Sequence, residues 1–139
     1  MTKDEELAKY VALIEQYKEQ MSSLETQFSY LQAAITDYNK AKITLEQLSS
    51  TQTGTEILLP IGGGAFINGT VINPTKVLLD IGGGIVTEKK SDDAIQKINS
   101  RIDDLQRTQE KLLSVIQQLQ NEATETSDKA NKLLQEQQK

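Results

Sequence analysis

The 139-residue sequence contains no cysteine, no histidine and no tryptophan. Without cysteine there is no disulfide, no thiolate nucleophile and no Cys-based zinc site. Without histidine the usual acid-base group near neutral pH is missing, so the many hydroxyls have no ordinary base to activate them. Asp92-Asp93 and Asp103-Asp104 are paired carboxylates in sequence only, because neighbours on a helix point about 100° apart. Aromatic residues make up 4% of the chain, too few for the core of an ordinary globule. Cations are outnumbered, 15 Lys plus Arg against 20 Asp plus Glu, for a formal charge of -5. A surface of that sign repels phosphate backbones and anionic headgroups, and the lysines are not interleaved with aromatics as a nucleic-acid face requires. No apolar run approaches the ~20 residues of a bilayer span. The acidic start, Met1 to Glu6, leads into no apolar block and does not read as a secretory signal. The expectation is a cytoplasmic protein that is not an enzyme, has no metal or cofactor, and has neither nucleic acid nor membrane as a partner.

Helix breakers are missing from most of the chain as well. All eight glycines and both prolines lie between Gly54 and Gly84, and from Gly54 to Thr87 only Glu56, Lys76 and Asp80 carry charge. Composition therefore divides the chain into residues 1–53, 54–90 and 91–139, two charged arms around a nearly neutral centre, within one structural domain.

In the arms, apolar residues recur in a 3-4 alternation. The first arm has Leu7, Ile14, Met21, Phe28 and Ile35 in one series, and Tyr10, Tyr17, Leu24, Leu31, Tyr38 and Leu45 in the other. Lys42 is the polar exception at a seam position. The second arm repeats the pattern with Ile95, Ile102, Gln109, Ile116, Ala123, Ala130 and Gln137, against Ile98, Leu105, Leu112, Leu119, Thr126 and Leu133. A sustained heptad predicts a helix with one seam facing a partner helix. Thr2 and Glu5 have capping-box spacing, which starts the first helix near Asp4. The run Ser49 to Gly54 ends it. Each helix is roughly 65–70 Å long at 1.5 Å per residue. Matched lengths on one chain favour antiparallel pairing within the chain over pairing between chains. In that pairing Leu7, Tyr10, Ile14 and Tyr17 face the small residues Ala123, Thr126 and Ala130. A seam of small residues buries less area, so those large side chains are expected to stay partly exposed. Ordinary end fraying and a working surface both fit this periodicity.

The centre is a duplicated hairpin. Residues 57–66 and 77–86 align at an offset of 20 with six of ten positions identical. Each copy is an apolar run, a glycine triplet and a second apolar run. Gly62-Gly63-Gly64 and Gly82-Gly83-Gly84 read as turns, because glycine takes positive φ without strain. A phosphate loop is a poor reading, since no Gly-Lys-Ser/Thr follows and no helix starts after either triplet. Isolated hairpins are marginal in water, and uncharged strand edges invite pairing. The candidate assembly residues are Ile57, Leu59, Ile61, Phe66, Val71, Val77, Leu79, Ile81 and Val86. They are expected to join hairpins of other subunits in a shared sheet or barrel, with Pro60 at an edge or bulge. The fold class is thus mainly α, a long antiparallel two-helix coiled coil with two central β-hairpins that join an oligomeric β-barrel.

At this point the sequence resembles the alpha class of the prefoldin family along its whole length. Glu56 to Ile67 (EILLPIGGGAFI) is similar to that family's Leu-Val-Pro strand and Gly-x-Gly turn. Lys76 to Gly84 (KVLLDIGGG), followed by Val86, Glu88 and Lys89, is similar to its second hairpin, and Asp93-Ala94 fits the start of the returning helix. Two hairpins per chain mark the alpha class. The resemblance implies an ATP-independent co-chaperone of two alpha and four prefoldin beta subunits, a double β-barrel carrying six coiled coils, unfolded client polypeptides held at the distal coiled-coil tips, and transfer to a group II chaperonin. It makes Leu7, Tyr10, Ile14, Tyr17, Met21, Leu119, Ala123, Ala130 and Leu133 the client-binding residues. The other reading is a coiled-coil scaffold, or a self-assembling filament or hub, without client transfer.

Overall fold

A computed structural model of the protein describes residues 2–137 as two long helices separated by two β-hairpins. The first helix, α1 (Lys3–Ser49), opens on the capping box foreseen in the sequence. Glu5 N–H donates to Thr2 Oγ1 at 3.2 Å, and Thr2 N–H donates back to Glu5 Oε2 at 3.4 Å. Asp4, Glu5 and Glu6 occupy the first turn, where the helix dipole favours negative charge. At the other end Ser49, Ser50 and Thr51 donate their hydroxyls to the carbonyls of Glu46, Gln47 and Leu48. The hydroxyl run thereby adds to the backbone bonds of the last turn, where the Gln47 and Leu48 carbonyls also accept from Ser50 N–H and Thr51 N–H.

Four short strands follow: β1 (Glu56–Gly62), β2 (Ala65–Thr70), β3 (Lys76–Asp80) and β4 (Val86–Lys90). β1 pairs with β2 and β3 with β4, both antiparallel, as two separate two-stranded sheets. The glycine triplets make the turns. Gly63 and Gly64 have φ of 60° and 76°, and Gly83 and Gly84 have 60° and 77°, positive at both central positions as a twisted hairpin requires. The two copies diverge where the repeat does, at Pro60 and Asp80. Proline has no N–H for the ladder, and the β1–β2 register slips between Pro60 and Gly62, leaving Ile61 in a bulge. Asp80 instead accepts a hydrogen bond from Gly82 N–H at 2.7 Å, and its hairpin keeps an unbroken register from Lys76↔Lys90 to Asp80↔Val86.

The second helix, α2 (Ser91–Gln137), follows β4 directly. Ser91 is its first residue and is tied back to the reversal between the hairpins. Its N–H donates to the Thr75 carbonyl at 2.8 Å and its hydroxyl to the Pro74 carbonyl at 3.3 Å.

The chain divides into two compact units. One is Ile35–Asp104, with the hairpins and the helix segments next to them. Its core is Ile35, Ala94, Ile98 and Ile102, all buried. Here Arg101 lies over the Tyr38 ring, 5.9 Å from its centroid, and its Nη2 donates to the Asp80 carbonyl at 2.5 Å. The other unit joins the chain up to Ala34 with the chain from Leu105. The helices run antiparallel in it: Gln137 Nε2 donates to Asp4 Oδ1 at 3.1 Å, Lys3 and Glu136 are 3.8 Å apart, and Gln109 Nε2 donates to Gln32 Oε1 at 3.1 Å. The heptad pairing expected within one chain is the pairing observed.

Candidate functional site

The apolar surface of the hairpins dominates the unit Ile35–Asp104. Strand alternation sorts it into faces. In β1–β2 the pairs Leu58↔Asn68 and Pro60↔Phe66 share one face, while Ile57↔Gly69 and Leu59↔Ile67 share the other. Leu59 lies over Gly69: a Cβ built on that glycine would stand 3.0 Å from Leu59 Cδ1. Leu58 is 65% exposed and Phe66 58%. In β3–β4, Val77, Leu79, Thr87 and Lys89 alternate with the exposed Leu78, Val86 and Glu88, and are themselves half-buried. Leu78 is 74% exposed, and Ile72, between the hairpins, 86%. Ile61, Ile67, Ile81 and Ile85 are exposed too.

The assembly residues chosen from sequence thus fall in two groups. Ile57, Val71, Val77 and Leu79 are half-buried, whereas Leu59, Ile61, Phe66, Ile81 and Val86 are exposed. Leu58, Ile67, Ile72, Leu78 and Ile85, which sequence reasoning passed over, are among the exposed apolar residues. The signal that would have found them was the near absence of charge on both faces, since a hairpin that keeps one face in water normally makes that face polar. Large exposed apolar patches are uncommon on monomeric proteins. Arg101 was also missed. Its partner is a backbone carbonyl, which no side-chain pattern announces.

In the other unit the seam is closed unequally. Ala123, Ala130 and Leu133 of α2 are buried, together with Thr126. Leu7, Tyr10, Ile14, Tyr17 and Met21 of α1 are half-buried, as is Leu119 of α2. The small Ala123, Thr126 and Ala130 are covered along with Leu133, while the larger side chains of α1 keep part of their surface in water. Gln109, the polar seam residue of α2, is buried with its amide bonded to Gln32. Lys42 is half-buried in the unit Ile35–Asp104.

Among the described residues no group of three or more His, Cys, Asp or Glu is placed to hold a metal ion, and no helix is long and apolar enough to cross a membrane.

The family model for Prefoldin, described as prefoldin subunit, matches residues 17–136. The prefoldin subunit alpha of Archaeoglobus fulgidus is 32% identical over 123 residues, covering 88% of this chain and 90% of the relative. That of Methanococcus vannielii is 30% identical over 121 residues, covering 87% of this chain and 81% of the relative. Among solved structures, a filamentous PFD from Methanocaldococcus jannaschii, determined by cryo-EM, superposes with a TM-score of 0.74 at 24% identity. That superposition covers 82% of this chain and 94% of the other, and it shows the shared fold of paired helices with hairpins between them. The chain therefore belongs to the prefoldin family and is similar over most of its length to the alpha subunits of that family.

Proposed function

We propose that the chain is an ATP-independent co-chaperone subunit that assembles through residues 54–90, with residues 1–53 and 91–139 forming the coiled coil that holds unfolded polypeptide. The observation that carries this reading is the apolar surface of the hairpins, with Leu58, Phe66, Ile72 and Leu78 each more than half exposed. Two hairpins cannot satisfy such a surface by themselves, and neighbouring hairpins of other subunits supply what is missing. The alpha-class likeness supports beta-class subunits as those neighbours, two alpha to four beta, in a shared β-barrel. Near the amino end of α1 and the carboxyl end of α2, Leu7, Tyr10, Ile14, Tyr17 and Met21 are half-buried across from Ala123 and Ala130. Amphipathic Tyr and flexible Met adapt to varied apolar segments. Several weak contacts on several coiled coils add up through multivalency, while each contact alone releases. Release is what delivery to a group II chaperonin needs, and the work is done in the cytoplasm.

Native mass spectrometry of the chain with a beta-class prefoldin subunit tests the assembly, and a two-to-four complex is expected. Light scattering of a chemically denatured protein tests the capture. Aggregation is expected to fall with the complex and to return when residues 2–17 and 123–137 are trimmed. Unchanged suppression after trimming refutes the assignment of the ends. A second reading, a filament built by this chain alone, has one observation in its favour, the likeness in fold to a filamentous PFD. Growth of fibres from the isolated chain in electron micrographs would support it.

A further inference from the structure

Along one side of the unit formed by the chain up to Ala34 and the chain from Leu105 lie two shallow apolar grooves. They are related by one heptad. Gln20, Ser23 and Leu24 stand in the first where Gln27, Tyr30 and Leu31 stand in the second, seven residues on. On the antiparallel helix Val115 and Leu119 stand in the first where Thr108 and Leu112 stand in the second, again seven residues apart. The two grooves form one strip about 10.5 Å in repeat, at 1.5 Å per residue. Tyr30 is 74% exposed and Val115 45%, and the four leucines behind them are half-buried seam residues.

No residue lining either groove is charged, in a chain of which 25% is charged. Both helices lose charge at the same level. From Gln20 to Thr36 the only charged residue of α1 is Glu25, and from Leu112 to Asn121 α2 has none. Positions flanking a two-helix seam are ordinarily the charged ones. Here Gln20, Gln27, Thr108 and Val115 hold them. A carboxylate or ammonium laid into the strip would lose water and meet no counter-charge, whereas an uncharged apolar face meets its like.

Resting on the reading that the chain holds polypeptide, we infer that this strip is a second docking surface, apart from the helix ends, for an amphipathic helix whose docked face is uncharged. The repeat decides between helix and extended chain. Side chains on one face of an extended strand recur every ~6.6 Å, so the second and third miss a 10.5 Å repeat by several ångströms. Residues two turns apart on a helix rise the same ~10.5 Å and enter both grooves at once.

The test uses the full chain and two labelled peptides of roughly three heptads. One has Leu at the two seam positions with Gln and Ala between, and charges only at its ends. The other has the same residues interrupted by a proline in each heptad, which prevents a helix. By fluorescence anisotropy the helical peptide is expected to bind at least about tenfold more tightly than the interrupted one. The double variant Tyr30→Lys, Val115→Lys, at two exposed positions, is expected to lose that tenfold, while Leu113→Lys, exposed but outside the strip, leaves binding unchanged. Equal binding of the two peptides, or undiminished binding by the double variant, overturns the inference. Aggregation suppression by the parent protein, measured alongside, separates the two readings. Suppression without preference for the helical peptide refutes the strip alone, and failure to suppress refutes the capture reading itself.

Discussion

Leu58 and Phe66 share one face of the first hairpin, Leu58 two residues before Pro60 and Phe66 directly opposite Pro60, and each keeps about two-thirds of its surface in water. Moving an apolar side chain of this size fully from water to a packed interface is worth about 1.5–3 kcal/mol, so burying the exposed two-thirds is worth roughly 1–2 kcal/mol for each. Replacing both by Thr keeps residues that suit a strand but removes most of that gain. The double variant Leu58→Thr, Phe66→Thr is expected to weaken assembly by about 2–4 kcal/mol per hairpin, roughly 30- to 1000-fold in association constant. The isolated chain loses nothing comparable, because neither side chain is buried within it. Helix content and melting of the isolated chain, followed by circular dichroism, are therefore expected to match the parent. Assembly with a beta-class subunit, followed by analytical ultracentrifugation over a concentration series, is expected to shift to higher concentration. An unchanged association constant would refute the argument that this face is an interface. A matching loss of stability in the isolated chain would show that the face serves the chain's own fold.

Three further outcomes follow from the interior. Ile98 is 2% exposed in a core of only a few residues, so Ile98→Ala is expected to cost about 2–4 kcal/mol and to lower the thermal midpoint by several degrees; a midpoint equal to the parent's would contradict that core. Gln109 is buried at a seam position with its amide bonded to the exposed Gln32, and Gln109→Leu is expected to stabilise the helix pair by about 1 kcal/mol, since a polar seam residue trades stability for register. A lower denaturation midpoint in urea would refute this. Arg101→Met keeps an apolar stem but loses the Asp80 carbonyl and the Tyr38 ring. Hydrogen exchange is expected to speed at Gly82 to Ile85 and to stay unchanged near Ile98, whereas uniform acceleration would make Arg101 a general stabiliser instead.

How much was legible varies with the range of the interaction. The capping box at Thr2 and Glu5, the hydroxyl stop after Leu48, and the glycine turns at Gly63-Gly64 and Gly83-Gly84 each depend on residues within four of one another. All could be read from the chain directly. The contrast between Pro60 and Asp80 was half legible. A proline announces a bulge, but the Asp80 bond to Gly82 and the Arg101 hold on the Asp80 carbonyl needed coordinates. In β1, Ile57, chosen as an assembly residue, and Leu58, passed over, look alike in sequence, yet one is half-buried and the other largely exposed.

By itself the sequence determined where helices start and stop, that they pair along one heptad seam, and where the chain reverses, because turn, cap and periodicity are local properties of the backbone and its nearest side chains. Only the tertiary structure decided which apolar residues are covered. Burial depends on what lies opposite: Ala130 is buried and Tyr10 only half-buried, although both occupy seam positions. The same holds for the uncharged strip. Its two neutral windows lie about eighty residues apart in the chain, and only antiparallel pairing brings them to one level and makes them a surface.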